Sequence, residues 1–279
     1  MGPPPAHWWS QLPEMPRLIC TLVAAGTGAA AMSAGLGPLP PLKLGPFATY
    51  VLPKDSTPRC GIVWMHGLGD TEQGWAEMLR DEFHLAEHAG PCRFTLPRAP
   101  EQMVTCNAGR TTSWFDMKQL PLGASDAPPH HGCSLDQALA SCGRVHAALD
   151  KLIEEGIPPE RIVVGGFSQG GGMALLSAIT YRKRLAGAVV FSGLVFFQDR
   201  LPELMAEHAK GLKVFWGHGT NDNILDISLM TEGVKAVSEA GMNVTAKLYM
   251  TTHSTLPEEM KDAVSFVNHL LLPKDHHHI

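Results

Sequence analysis

A serine between two glycines, placed where an apolar run meets a helix-like stretch, constrains this chain more than any other feature. Residues 166–170 read Gly-Phe-Ser-Gln-Gly and follow the apolar residues 162–164. Glycines two positions before and after Ser168 leave room for a strained backbone in a tight turn. The pattern predicts a strand, a sharp turn and a helix, with the serine hydroxyl projecting from the turn. Taken alone, the same segment is also compatible with an ordinary loop serine.

Two residues downstream have the positions that a nucleophilic serine needs for its partners. A serine hydroxyl is activated when a histidine takes its proton and an acid orients that histidine. Asp222 lies in a polar turn after the apolar residues 214–216, and His253 follows the strand-like residues 244–249. The order Ser, Asp, His, each after a strand, is that of the α/β-hydrolases. The alternative for Asp222 is a cap on the helix that begins near residue 226.

Other histidines compete with His253 for the role of base, because the chain has fourteen. His66 and His218 also follow apolar runs, but His66 precedes the serine and His218 lies where the acid is expected. The clusters at 130–131 and 276–278 resemble metal ligands, yet no Cys, Asp or Glu accompanies them at a suitable spacing. The sequence therefore favours His253 as base and predicts no metal and no organic cofactor.

The loop after an early apolar run is the candidate for the other half of an oxyanion hole. Residues 62–65 are apolar, and residues 66–69 read His-Gly-Leu-Gly. Such a loop allows the backbone N–H of Leu68 to converge with that of Gln169 on one oxygen atom. The alternative is a plain glycine turn between a strand and a helix.

Three motifs together carry a resemblance to a known family. They are His-Gly-Leu-Gly-Asp-Thr at 66–71, Ser-Trp-Phe-Asp at 113–116 and Gly-Gly-Phe-Ser-Gln-Gly-Gly at 165–171. With Asp222 and His253 in order behind them, the chain from about residue 45 to 273 resembles the acyl-protein thioesterases, also described as cytosolic carboxylesterases or lysophospholipases. The resemblance implies an α/β-hydrolase fold, a mostly parallel central sheet with helices on both faces.

The same resemblance implies an activity and a set of roles. Ser168, Asp222 and His253 would form the catalytic triad, and Leu68 and Gln169 would donate to the oxyanion. The expected reaction is hydrolysis of long-chain acyl thioesters on protein cysteines, that is depalmitoylation, through an acyl-enzyme intermediate. A lysophospholipase or broad carboxylesterase with the same triad is the alternative, and an inactive acyl-binding scaffold is a further one.

The segment 97–129 is rich in proline, glycine and polar residues, which predicts a long loop. In the resembled family this region lies beside an apolar groove for the acyl chain. Trp114, Val104 and Met117 are then candidates for lining the groove. The alternative is that Trp114 and its neighbour Phe115 are core residues.

Composition is that of one globular domain and excludes some partners. The chain has 279 residues, of which 44% are hydrophobic and 18% charged, enough for a sizeable core. The formal net charge of −5, without a basic stripe, argues against nucleic-acid binding. Six scattered cysteines predict reduced thiols in the cytoplasm. S-acylated proteins or lysolipids are the expected partners, with a monomer or weak dimer as the oligomeric state.

The sequence pattern predicts the secondary-structure elements and divides the chain into three regions. Strand-like runs alternate with helical stretches, which predicts a mostly parallel sheet. The strand-like runs are 47–52, 61–66, 162–167, 187–192, 213–217 and 244–250. The helical stretches are near 72–88, 134–155, 169–183, 226–240 and 257–271. Residues 1–44 are expected to form a flexible or peripheral leader rather than a secretion signal, with membrane contact through it left open. Residues 45–273 form the hydrolase domain, and 274–279 a polar tail.

Overall fold

Strands and helices alternate along the computed structural model, which describes residues 47–123, 126 and 132–272. The strands are β1 (Phe47–Leu52), β2 (Cys60–Met65), β3 (Cys92–Pro97), β4 (Glu101–Val104), β5 (Gly109–Thr112), β6 (Ile162–Phe167), β7 (Gly187–Phe191), β8 (Lys213–Gly219) and β9 (Asn243–Tyr249). The helices are α1 (Glu72–Glu82), α2 (Leu135–Glu154), α3 (Gln169–Thr180), α4 (Leu201–Leu204), α5 (Ile227–Glu239) and α6 (Pro257–Leu270). The leader 1–44, the tail 274–279 and both histidine clusters lie outside the described residues, so the predicted region boundaries stay predictions.

The main sheet is mostly parallel, as predicted. Its strand order is β1-β3-β2-β6-β7-β8-β9. Only β1 runs antiparallel to its neighbour, β3, and the other adjacent strands pair in parallel. Parallel neighbours need a crossover connection, and the helices between them supply it.

Helices cover both faces of this sheet. Successive side chains of a strand point to opposite faces, so each strand contributes apolar residues to both sides. On β2, Ile62 and Trp64 belong to the core cluster that contains α1 and α6. Val63 and Met65 belong to the other cluster, formed with α2, α3 and α5. Two apolar layers therefore enclose the sheet, and the predicted fold class is confirmed.

Two parts of the predicted element pattern are wrong. Within the expected loop 97–129, strands β4 and β5 pair as an antiparallel hairpin. Both are short and largely polar, so no apolar run marks them in the sequence. Strand β3 is also missing from the predicted strands. Its apolar residues alternate with Arg93, which pairs with Glu155 at 3.0 Å, and with Thr95, so the strand lacks the continuous apolar run that marks parallel strands such as β2 and β6.

The sheet brings the candidate residues to one edge. Leu68 follows the carboxyl end of β2, Ser168 that of β6, Asp222 that of β8 and His253 that of β9. The carboxyl ends of parallel strands lie at the same edge, which is where open α/β sheets bind ligands. The strand order thus joins residues that are far apart in sequence.

Gly170→Ala is expected to destabilise the protein, because α3 starts in close contact with the end of β2. A Cβ on Gly170 would lie 2.3 Å from the carbonyl oxygen of Met65 and 2.4 Å from that of His66. Overpacking against backbone should cost about 1–3 kcal/mol of the free energy of unfolding, measured by urea denaturation. The control is Gly143→Ala on α2, where a Cβ meets nothing within 4 Å. That variant should be neutral or more stable, and equal losses in both variants would contradict the prediction.

Candidate active site

Ser168 occupies the sharp turn that the sequence predicts. Its backbone has φ 56° and ψ −121°, a conformation rare for a residue with a side chain. Its N–H donates to the carbonyl oxygen of Phe191 at 2.8 Å, and its carbonyl oxygen accepts from Gly172 at 3.1 Å. Such a backbone costs on the order of 1–3 kcal/mol and persists only where its surroundings hold it. Here β7 and the first turn of α3 hold it.

A chain of hydrogen bonds links Ser168, His253 and Asp222. Nε2 of His253 lies 2.9 Å from Oγ of Ser168, and Nδ1 lies 2.7 Å from Oδ2 of Asp222. A carboxylate only accepts, so Nδ1 carries the proton and Nε2 is free to accept from the serine hydroxyl. This is the arrangement that a general base needs before it takes the proton of a nucleophile.

Asp222 is held by its own turn. Its Oδ1 accepts from the N–H groups of Ile224 at 2.9 Å and Leu225 at 2.8 Å. Burial raises the pKa of this carboxyl, but the hydrogen bond and charge of His253 and the two backbone donors outweigh burial, so the pKa lies below its usual value. Asp222 is therefore an ionised acceptor. The cap of α5, the alternative role, belongs to Asp226, whose side chain accepts from the N–H of Ser228.

The two rival histidines lie elsewhere around the site. His218 is buried behind Asp222, with Nε2 at 2.8 Å from the carbonyl oxygen of Leu225 and 3.4 Å from Oδ2 of Asp222. Burial lowers the pKa of His218, so its ring is neutral near pH 7. His66 is buried in the loop that carries Leu68, where both ring nitrogens have backbone partners. Of the three histidines, His253 is the one hydrogen-bonded to Ser168.

The loop that carries Leu68 lies directly against the serine turn. A Cβ built on Gly67 would be 3.5 Å from Cβ of Ser168. Over the part of the chain that the structure describes, neither the Leu68 nor the Gln169 backbone N–H donates to a backbone carbonyl. The Gln169 group is one of the unpaired donors at the start of α3, where the helix dipole also favours negative charge. Both predicted donors are therefore available beside Ser168.

The side chain of Gln169 has a role that sequence reasoning missed. It is buried, its Oε1 accepts from the N–H of Trp114 at 3.0 Å, and its Nε2 donates to the carbonyl oxygen of Phe115 at 2.9 Å. The amide thus fixes the segment 113–115 against the serine turn. Two residues so distant in sequence give no local signal of such a contact, although the Ser-Trp-Phe-Asp motif marks the segment.

All three candidates for the acyl groove are buried. Trp114 is 1% exposed, Val104 0% and Met117 2%, and they belong to the same core cluster as α2 and α3. The indole N–H of Trp114 donates to the carbonyl oxygen of His66 at 2.8 Å. These contacts are those of core residues, which was the alternative for Trp114, and the acyl-binding role of the three stays a prediction.

Within residues 47–123, 126 and 132–272, no group of three or more His, Cys, Asp or Glu side chains is placed to hold a metal ion. Over the same ranges, no helix combines the length and the apolar character needed to cross a membrane.

Glu259 is a buried acid on α6 that should make stability depend on pH. It lies in the first turn of α6, is 1% exposed and packs against Gly217 of β8. Burial raises its pKa to about 8, well above about 4.3 in the unfolded chain. Between these pH values the native state binds more protons, so the free energy of unfolding should fall as pH rises from 5 to 8.

Glu259→Gln should remove this pH dependence. We expect the variant to match wild type near pH 4 and to exceed it by about 5 kcal/mol above pH 8. Urea denaturation across the pH range measures the difference. Glu232→Gln, at an exposed position on α5, is the charge-matched control. Parallel stability curves for wild type and Glu259→Gln would contradict the prediction.

Fold and site together define the class of protein. A mostly parallel sheet with helices on both faces, a serine in a strand-to-helix turn and the chain order Ser, Asp, His are the features of the α/β-hydrolases. The chain matches the family described as Phospholipase/Carboxylesterase over residues 48–271, and it belongs to that family.

Individual relatives agree with this assignment. A protein named "Probable carboxylesterase" from Oryza sativa subsp. japonica is 35% identical over 215 residues, which are 76% of this chain and 78% of the relative. Acyl-protein thioesterase 1 of Cryptococcus neoformans is 33% identical over 225 residues, 74% of this chain and 90% of the relative. The crystal structure of Arabidopsis thaliana SOBER1 has 32% identity and a TM-score of 0.71, and covers 76% of this chain and 99% of its own. The chain is a hydrolase, and the resemblance to acyl-protein thioesterases and carboxylesterases is confirmed.

Proposed function

We propose that this hydrolase cleaves long-chain acyl thioesters of protein cysteines through an acyl-enzyme intermediate on Ser168. The observation that carries the proposal is the pair of hydrogen bonds from His253 to Ser168 and Asp222, 2.9 and 2.7 Å long. The thioester as substrate is supported by the similarity to acyl-protein thioesterase 1. An intact Ser, His and Asp in bonded contact argues against an inactive acyl-binding scaffold.

The first half-reaction forms the acyl-enzyme. Nε2 of His253 takes the proton of Ser168 while Oγ attacks the carbonyl carbon of the thioester. The negative oxygen of the tetrahedral intermediate accepts from the N–H groups of Leu68 and Gln169. The carbon–sulfur bond then breaks, and the proton held by His253 passes to the leaving cysteine sulfur.

The second half-reaction releases the fatty acid. His253 takes a proton from water, and the resulting hydroxide attacks the acyl carbon of the ester on Ser168. The same two N–H groups stabilise the second tetrahedral intermediate. Its collapse breaks the bond to Oγ, which regains the proton from His253. Every proton is thus carried by one imidazole, and Asp222 stabilises the ring whenever it is charged.

The test compares three substrates of one acyl chain: an S-palmitoyl-cysteine peptide, its O-palmitoyl-serine analogue and a palmitoyl lysophospholipid. The proposal expects the highest kcat/KM for the thioester. Faster turnover of the lysolipid or of the oxygen ester would replace it with the lysophospholipase or carboxylesterase alternative. Ser168→Ala corrects for spontaneous thioester hydrolysis. A folded wild type that cleaves none of them and resists fluorophosphonate labelling would favour the inactive scaffold.

Partners and location remain proposals of the same kind. S-acylated proteins or lysolipids, a cytoplasmic location with peripheral membrane contact through residues 1–44, no nucleic-acid binding, and a monomer or weak dimer are the expectations. They rest on the acidic net charge, the scattered cysteines and the family resemblance. Sedimentation with lipid vesicles and gel filtration of the full chain test membrane contact and oligomeric state. Absence of vesicle binding would remove the membrane contact.

A further inference from the structure

His66 lies in the loop of the proposed oxyanion hole, yet the reaction described above gives it no task. The side chain is 1% exposed. Nε2 lies 3.1 Å from the backbone nitrogen of Ala99, and Nδ1 lies 2.8 Å from the carbonyl oxygen of Gly67. A ring buried with both nitrogens bonded to backbone is held in a single orientation.

The two partners of the ring fix its tautomer. The N–H of Ala99 can only donate, so Nε2 accepts and carries no proton. The proton is therefore on Nδ1, which donates to the carbonyl oxygen of Gly67. Burial lowers the pKa of His66 to about 4, so the ring keeps this neutral form near pH 7.

The bond to Gly67 controls the direction of the next N–H group. The carbonyl of Gly67 and the N–H of Leu68 belong to one peptide unit, which is trans and planar, so they point in opposite directions. The same carbonyl oxygen also accepts from the N–H of Asp70 at 3.3 Å. Two donors thus hold the carbonyl on one side of the loop and turn the N–H of Leu68 to the other.

The peptide unit before Gly67 is fixed as well. The carbonyl oxygen of His66 accepts from the indole N–H of Trp114 at 2.8 Å, and the rings of these two residues lie 5.3 Å apart. Trp114 is tied in turn to the side chain of Gln169, whose own N–H is the second proposed oxyanion donor. One connected set of hydrogen bonds therefore links both donors.

We propose that His66 is a positioning residue that orients the N–H of Leu68 toward the developing oxyanion by holding the carbonyl of Gly67. The proposal rests on the serine-hydrolase mechanism above and adds to it the residue on which the geometry of the first donor depends. Its effect belongs to the transition state, because the negative oxygen exists only there. Loss of His66 should therefore lower kcat and leave KM nearly unchanged.

Two substitutions distinguish the effects of the hydrogen bonds made by the two ring nitrogens of His66. In His66→Asn the amide takes the position of Nδ1 and retains a donor for Gly67. In His66→Gln the amide reaches the position of Nε2, retains an acceptor for Ala99 and loses the donor to Gly67. We expect kcat for p-nitrophenyl butyrate to stay within about threefold of wild type in His66→Asn and to fall about thirty- to hundredfold in His66→Gln. The rate of fluorophosphonate labelling should follow kcat.

His146→Gln is the matched control. His146 is partly buried, bonds a carbonyl oxygen through Nε2 and lies 5.0 Å from the ring of Tyr181, but it is on α2, away from Ser168. It should lose no kcat. Trp114→Phe removes the donor to the carbonyl of His66 together with part of the buried ring, and it should lower kcat severalfold at unchanged KM. This variant keeps the test open if a His66 variant does not fold, because an unchanged kcat would contradict the orienting role of the hydrogen-bonded loop.

The outcomes separate the two proposals. Equal kcat in His66→Asn and His66→Gln, or a loss confined to thermal stability, overturns the role of His66 while the serine mechanism stands. A wild type that is not labelled and does not cleave the ester overturns the mechanism itself. Because p-nitrophenyl butyrate is a simple oxygen ester, a failed thioester preference does not affect this test.

Discussion

Ser168→Ala should lower kcat by about a millionfold, the loss typical of removing the nucleophile of a serine triad. The variant deletes the one oxygen that lies 2.9 Å from Nε2 of His253. It leaves the backbone hydrogen bonds of the turn in place, and alanine tolerates φ 56° about as well as serine. The thermal midpoint should therefore stay close to that of wild type. Turnover of p-nitrophenyl butyrate and fluorophosphonate labelling measure the loss.

Ser192→Ala is the control for this variant. Ser192 follows β7, the strand next to β6; it is buried and, like Ser168, has a positive φ, 44°. Its N–H donates to the carbonyl oxygen of Gly217 at 2.9 Å, while its Oγ has no hydrogen-bond partner within the described residues. Ser192 therefore lies at the same edge of the sheet as Ser168 and also has a positive φ, but its hydroxyl is not hydrogen-bonded to His253. Full activity in Ser168→Ala would refute the assignment of the nucleophile.

The sequence predicts those residues of the candidate site that directly follow a recognisable strand. Ser168, Asp222 and His253 each follow an apolar strand-like run, and their order along the chain is enough to expect them at one edge of a parallel sheet. Leu68 follows the same logic after β2. Chain order thus suffices where each residue acts at the end of its own strand.

The sequence does not predict the roles of residues that depend on contacts with distant parts of the chain. The ring of His66 bonds Ala99 on another strand's loop, and the amide of Gln169 bonds backbone about 55 residues away in sequence. Glu259, in the first turn of α6, has the position of an exposed acid near a helix start, yet tertiary packing against Gly217 buries it. Such roles depend on which elements become neighbours, and local patterns in the sequence do not reveal those neighbours.

Trp114 shows the same limit for substrate binding. The family resemblance makes Trp114 a candidate for lining an acyl groove, with a core position as the alternative. The structure buries Trp114 against the loop of His66, where its indole N–H donates to the carbonyl oxygen of His66, and its acyl-binding role stays a prediction. The sequence therefore predicts the fold better than it predicts the substrate. Apolar periodicity determines the layers, whereas the polar loops that contact a substrate have no periodicity.

Asp222→Asn is expected to lower kcat by about ten-thousandfold through the tautomer of His253. An asparagine can keep its oxygen as the acceptor for the N–H groups of Ile224 and Leu225. Its NH₂ group then faces Nδ1 of His253 where the carboxylate oxygen was. A donor facing Nδ1 favours the tautomer with the proton on Nε2, and such a ring cannot take the proton of Ser168.

The comparison with Asp226→Asn isolates this effect from the loss of charge. Asp226 lies four residues on, and its carboxylate caps α5 without touching His253. Both variants remove one negative charge from the same loop, and an asparagine still caps a helix. If Asp222 acts by holding Nδ1–H of His253, kcat falls only in Asp222→Asn, with KM and thermal stability little changed. A comparable fall in both variants would mean that the negative field of the loop, rather than the orientation of the imidazole, supports the reaction.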